Sequence, residues 1–162
     1  MRSRIGIDVA APPELVFAIV RDVSRWERLL PHYVRSRIRD RGDDGTVLAD
    51  FVARRPLIGV LGLGLPVAWR SRVRADPATR RLRFVHVAGA TRGMDVTWTI
   101  EPTLSGTRVD IEHDFRPRVP GWAAFIDRAF TRPIAGRTLA TVRDLAEALS
   151  TSEDAAVTNP TS

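Results

Sequence analysis

Hydrophobic and polar residues alternate with period two from Arg4 to Val9, which puts Ile5, Ile7 and Val9 on one face of a first strand. Ala10-Ala-Pro-Pro-Glu14 breaks the alternation. Proline suits a first helical turn and glutamate there suits the helix dipole, so a helix is predicted from near Pro12, with Leu15, Val16, Phe17, Ile19 and Val20 facing inward. After a break at Asp22 to Ser24, Ser24 and Glu27 stand at capping-box spacing. They predict a short second helix through Trp26, Leu29 and Leu30 that Pro31 stops.

From Tyr33 the period returns to two. Val34, Ser36, Ile38 and Asp40 alternate with Arg35, Arg37, Arg39 and Arg41, so the arginines are expected in water. A turn at Gly42 to Gly45 leads to a strand over Val47 to Arg54. After Pro66, Val67, Trp69, Ser71 and Val73 share one face, with Arg70, Arg72 and Arg74 on the other. Asp76-Pro-Ala-Thr79 reads as a turn. The next strand has Leu82, Phe84, His86 and Ala88 on one side. Met94, Val96, Trp98 and Ile100 follow on a sixth strand, and after a turn at Leu104 to Thr107 the chain returns through Val109, Ile111, His113 and Phe115. Strands joined by short turns, each with one apolar face, predict an antiparallel meander wet on one side.

Beyond a proline-rich bend at Pro117 to Gly121, apolar residues from Trp122 through Phe130, Ile134, Leu139 and Val142 to Leu149 recur every three or four positions, the signature of one long amphipathic helix. Pro133 inside it is expected to kink it, because proline lacks a backbone donor and crowds the preceding turn. Residues 150–162 are small and polar without periodicity and are expected to be a disordered tail, leaving one domain over residues 1–149. Burying every apolar face at once requires the sheet to curl around the last helix. The predicted class is α+β, a helix-grip fold: a curved seven-stranded antiparallel sheet around a long C-terminal helix, with two short helices after the first strand. A cavity is expected between sheet and helix.

Composition narrows the chemistry. The 162 residues contain no cysteine, which excludes disulfides, thiolate metal sites and a cysteine nucleophile. The first eight residues lack the apolar core of a signal peptide and no run reaches membrane-span length, so a cytoplasmic protein is expected. All 25 basic residues are arginine, as a GC-rich genome would produce, and the net charge of +6 says little by itself. The arginine stripes alternate with apolar residues and have no interleaved aromatics, so they read as a solvated sheet face and no nucleic-acid partner is expected. The glycine-rich apolar stretch 57–65 reads either as a lid over the cavity mouth, the one place where membrane contact is expected, or as a loop tucked over the sheet.

Several segments together resemble a known family. The element order is that of the START-like superfamily. Val20-Arg-Asp-Val-Ser-Arg-Trp26 with Leu30-Pro31, Gly93-Met-Asp-Val-Thr-Trp98 with Glu101-Pro102, Gly106-Thr-Arg-Val109, and His113-Asp-Phe115 resemble its polyketide cyclase/dehydrase and coenzyme Q-binding branch, over about residues 5 to 149. Within it, the pattern is similar to type II polyketide aromatase/cyclases. The resemblance implies a pocket lined by Trp26, Tyr33, Trp69, Ser71 and Trp98. The family's pocket arginine falls on Val73, so the chain departs from the pattern there. A hydrophobic or polyketide ligand is implied, with an acyl carrier protein as an electrostatically suited partner and no cofactor or metal.

His86 and His113 interrupt apolar inward faces. A neutral imidazole can take or give a proton during aldol closure and dehydration, although a core histidine with both nitrogens bonded would look the same in sequence. Two histidines without a third ligand do not make a metal site. Ser71 and Tyr33 have hydroxyls suited to a carbonyl or enolate oxygen, and they complete the catalytic set. Trp26, Trp69 and Trp98 offer flat walls, and Val73, Phe84, Met94 and Phe130 complete the substrate-binding set. The expected function is a polyketide cyclase/aromatase that folds a poly-beta-ketone in the cavity. The alternative is a carrier or chaperone for a quinone, isoprenoid or other hydrophobic ligand, without turnover.

Overall fold

The structure is a computed structural model, and it describes residues 1–55, 65–117 and 121–158. The elements run β1 (Arg2–Val9), α1 (Pro13–Val20), a single 3-10 turn (Val23–Arg25), α2 (Trp26–Leu29), β2 (Tyr33–Arg41), β3 (Val47–Arg55), β4 (Leu65–Asp76), β5 (Arg81–Gly89), β6 (Met94–Thr103), β7 (Gly106–Phe115), α3 (Trp122–Ile126), a π-helical turn (Asp127–Thr131) and α4 (Arg132–Thr158). The seven strands form one antiparallel sheet in the order β1-β7-β6-β5-β4-β3-β2. Only β1 leaves sequence order. It pairs with β7 while α1 and α2 carry the chain across to β2 at the far edge, as a helix-grip fold requires. The long helix lies in the curl of this sheet, and Leu139, Val142 and Ala146 are buried against it.

Alternation held where ladders are regular. Along β6, Met94, Val96, Trp98 and Ile100 are all buried, and on β7 so are Val109, Ile111, His113 and Phe115. The register of β2 differs from expectation. A bulge between Tyr33 and Arg35 inserts one residue, so Tyr33 and Ser36 both face inward while Val34 is 43% exposed. Two further irregularities skip Arg39 in β2 and, opposite the Arg70–Ser71 step of β4, Val87 in β5. Such bulges increase the local twist, and they help the sheet curl.

Two local expectations need correction. Ser24 does not cap α2: Asp22 takes that role for the preceding 3-10 turn, accepting from Ser24 N at 3.1 Å and from Ser24 Oγ at 2.6 Å. Glu27 instead accepts from the backbone N–H of Ser36 at 3.2 Å, where the bulged strand needs a partner. At the other end of the chain, α4 runs on to Thr158, through most of the segment expected to be disordered. Once a helix is nucleated each further residue adds a bond, and Glu153, Ala155 and Ala156 are tolerant of helix. Thr151 and Ser152 satisfy their hydroxyls on the carbonyls of Glu147 and Ala148.

The kink expected at Pro133 takes a specific form. Asp127–Thr131 is a π-helical turn, closed by the Arg132 N–H on the Asp127 carbonyl five residues back. Proline at 133 has no N–H to continue the α ladder, and the wide turn stands immediately before it. Outward, arginines and carboxylates form short ladders. Asp50 accepts from Arg39 and Arg70, and Asp110 from Arg4 and Arg108. Among the described residues no helix is long and apolar enough to cross a membrane.

Candidate functional site

A cavity of about 80 Å³ lies between the inner sheet face and the helical segment. Its β-sheet wall includes Tyr33, Phe51, Val67, Trp69, Phe84, His86, Met94, Val96, Trp98, Ile111 and His113. Its helical wall includes Trp26, Phe130, Thr131, Ile134, Ala135 and Thr138, and Thr91 closes it from the β5–β6 loop. None of these side chains is acidic or an arginine, so the described lining is aromatic and aliphatic with a few hydroxyls and two imidazoles.

Aromatic packing sets the wall geometry. Trp26 donates its indole N–H to the Val20 carbonyl at 3.0 Å, which fixes the ring at the end of α1. From there it meets Tyr33 edge-on at 5.2 Å and Phe51, Phe84 and Trp98 in tilted contacts at 5.6–5.8 Å. Phe51 stacks on Trp69 at 5.4 Å, and Trp69 in turn stacks on His86 at 5.9 Å and 17°. Gly89 lets the backbones of β4 and β5 approach here. It sits opposite Trp69 with φ 91°, and a Cβ there would collide with the Ala68 carbonyl.

The histidines are dry. Burial pushes His86 down to about 3, with neighbouring His113 adding to the effect, and its Nδ1 lies 2.6 Å from Thr91 Oγ1. Burial lowers His113 to about 4. Asp127 on the π-helical turn opposes that shift and Arg132 reinforces it. Both rings are therefore neutral at neutral pH, the form able to accept a proton. His113 Nδ1 has no hydrogen-bond partner. Burial also raises the Tyr33 phenol well above its ordinary value, which keeps it protonated; an interaction with Thr138 pulls the other way.

A model of the family described as polyketide cyclase / dehydrase and lipid transport matches residues 9–140. The chain belongs to this family. The granaticin polyketide synthase bifunctional cyclase/dehydratase of Streptomyces violaceoruber is 31% identical over 151 residues, which are 90% of this chain and 44% of that protein. The chain thus spans less than half the length of this curated relative. Among solved structures, the Zhui aromatase/cyclase from Streptomyces sp. R1128 superposes with a TM-score of 0.75 at 21% identity, covering 91% of this chain and 93% of that one. The di-domain ARO/CYC BexL from the BE-7585A biosynthetic pathway does so with a TM-score of 0.69 at 29% identity, over 89% of this chain and 45% of that one.

In this chain, Trp26, Tyr33, Trp69, Phe84, His86, Met94, Trp98, His113 and Phe130 surround the cavity. Ser71 and Val73 are not among its described lining residues. Phe51 on β3 pairs with Trp69, Phe84 on β5 pairs with Val73, and the two rings meet 6.2 Å apart across β4. Ser71 stands on β4 between their partners Trp69 and Val73; it is 0% exposed and its Oγ has no hydrogen-bond partner, and Val73 is also buried. Of the stretch 57–65 read as a lid, residues 57–64 lie outside the described residues.

Sequence reasoning missed His32, Thr91 and Thr138. His32 is 2% exposed behind Tyr33, with ring centroids 4.9 Å apart, and its Nε2 lies 2.8 Å from Thr138 Oγ1. Burial lowers it to about 4, with Arg137 adding to the shift. The available signal was Thr138 itself, a polar residue four positions after Ile134 on the buried stripe of the last helix.

Proposed function

We propose that this chain binds a poly-beta-ketone intermediate in its cavity and promotes aldol cyclisation followed by dehydration. The observation that carries the reading is a pair of buried, neutral imidazoles facing an aromatic-walled space. In the closure, His86 or His113 accepts a proton from the carbon between two carbonyls, the resulting enolate carbon bonds to a carbonyl carbon further along the chain, and the new alkoxide takes a proton back. Loss of that hydroxyl and one neighbouring hydrogen as water gives the conjugated ring. No external oxidant or reductant is consumed. Trp26, Trp69 and Trp98 favour a flat product and exclude water, which strengthens every polar contact inside. The family membership and the aromatase/cyclase likenesses support this activity, and the basic exterior suits an acyl carrier protein delivering a tethered chain.

The test is to add the purified chain to a minimal polyketide synthase and compare products. A shift towards a cyclised, dehydrated product is expected, and it should be lost in the His86→Ala, His113→Ala double variant. An unchanged product profile would overturn the enzymatic reading. A second reading, a carrier of a hydrophobic ligand, is favoured by one observation: Val73 occupies the position where the resemblance implies an arginine, and no cation stands among the described lining residues. A co-purified lipid or quinone with no effect on products would establish that reading.

A further inference from the structure

The two cavity histidines differ at their second nitrogen. His86 Nδ1 lies 2.6 Å from Thr91 Oγ1, and both residues line the cavity. His86 Nε2 has no partner among the described residues and is not sealed, so it is open to a ligand in the cavity. His113 Nδ1 is sealed with nothing to exchange a proton with, so a proton taken up by that ring leaves a charged imidazolium in a dry wall. Such a charge is costly, and no cation among the described lining residues balances an enolate.

Thr91 also differs from the other hydroxyl bonded to a histidine. Thr138 Oγ1 lies 2.8 Å from His32 Nε2, but its own proton goes to the Ile134 carbonyl at 2.8 Å, so it has none to pass on. Thr91 Oγ1 has His86 as its one partner among the described residues. A hydroxyl has one proton and two lone pairs, so Thr91 accepts from a protonated Nδ1 and keeps its own proton for the cavity.

We propose that His86 and Thr91 form a neutral proton relay that makes this chain a keto-enol tautomerase for 1,3-dicarbonyl compounds. Nε2 takes a proton from the carbon between the carbonyls, Nδ1 passes its proton to Thr91 Oγ1, and Thr91 gives its proton to a carbonyl oxygen. The C–H electron pair becomes the new C=C bond and the C=O π pair becomes the O–H bond. The ketone leaves as its enol, no ion forms, and no oxidant, reductant or other reactant is consumed. The pair is left with its proton on Nε2 and with Thr91 donating to Nδ1. One water that takes the Nε2 proton and gives one to Thr91 resets it. The inference rests on the cavity's being the ligand site and deepens that reading: it assigns the base to His86, and the enol is the nucleophile that aldol closure needs.

Benzoylacetone tests the relay on the whole chain. Its enol, diluted from an organic stock into water, relaxes towards the keto form with loss of ultraviolet absorbance, which the relay catalyses in reverse. Relaxation should quicken in proportion to protein and be inhibited by 2-naphthol, a flat aromatic probe whose binding is read by calorimetry. A positioned acid and base contribute about 10²–10⁴-fold, so Thr91→Val should lose roughly 100-fold or more of the protein-dependent rate, and Thr91→Ser, which keeps the hydroxyl, should recover it. In the unmodified protein the rate should fall along a curve as deuterium replaces hydrogen in the solvent, because several protons move together; a straight line overturns the relay. If 2-naphthol binds but relaxation is not accelerated, or the acceleration survives Thr91→Val or saturating 2-naphthol, the relay is overturned and the cavity reading stands. If 2-naphthol does not bind, the cavity reading falls and the relay with it.

Discussion

The imidazole of His86 lies nearly flat on the indole of Trp69, with centroids 5.9 Å apart and planes 17° from parallel, while Thr91 holds its Nδ1 at 2.6 Å. An imidazole packed in this way has little water to solvate a charge. His86 is lowered to about 3, and His32 and His113 to about 4, in each case chiefly by burial. Because these are all three histidines of the chain, none of the ring-proton NMR signals is expected to titrate between about pH 8 and about pH 5. A midpoint near 6.5 for any of them would show that its site is wetter than this geometry.

The same burial links stability to pH. On unfolding each imidazole returns to about 6.5, so between that value and the folded values the unfolded chain binds more protons. Stability is then fully present above about pH 6.5 and is lost as the pH falls towards 4 and 3. Inside that window each histidine contributes about 1.4 kcal/mol per pH unit, or about 3–6 °C in melting temperature for a domain of this size. His86→Gln should flatten the acid limb of a Tm-against-pH curve by about that much. An unaltered slope would mean that His86 is not desolvated in the folded state.

Ser71 offers the opposite test, of a residue that sequence spacing assigned to the site. Its hydroxyl is buried without a partner, and an unsatisfied buried hydroxyl costs about 1–3 kcal/mol. Ser71→Ala should leave stability unchanged or raise it, with little effect on product formation, as read by denaturant melts and the reconstituted synthase. Ser71→Val should destabilise by about 1–3 kcal/mol, since a larger side chain is forced into a fully buried position. A large loss of activity in a well-folded Ser71→Ala would return Ser71 to the site.

The contrast between Ser71 and Thr138 shows where sequence reading stops. Period-two alternation identified the inward residues of β4 to β7, and that fixed the strand faces and put His86 and His113 on the interior. Alternation says which face a residue shares but not how far along the strand the cavity extends, so Ser71 and Val73 read the same as Val67 and Trp69. Only the meeting of Phe51 and Phe84 across β4 separates them. The bulge at Tyr33 is invisible for a similar reason: Val34, Ser36 and Ile38 form an unbroken alternation, and tertiary pairing with β3 decides where the extra residue goes. Thr138 is harder still to find, because the buried partner of its hydroxyl is His32, 106 residues away in the chain.

Pro133 allows a prediction that joins backbone to cavity. The π-helical turn ahead of it carries Phe130 and Thr131, which both line the cavity, and it is closed by the Arg132 N–H on the Asp127 carbonyl. Each residue of an α-helix turns about 100°, so returning this segment to α geometry would rotate Phe130 and Thr131 away from their present direction. Pro133→Ala restores the missing donor and removes the ring that crowds the preceding turn. If proline sustains the wide turn, the variant should melt at a higher temperature and bind 2-naphthol more weakly. If affinity is unchanged, the turn is held instead by Asp127, whose carboxylate accepts from Ser3 Oγ at 2.7 Å and from Arg132 Nε at 2.8 Å. In that case Asp127→Ala is the substitution that should weaken binding, because it cuts the tie between the turn and β1 that aims Phe130 into the cavity.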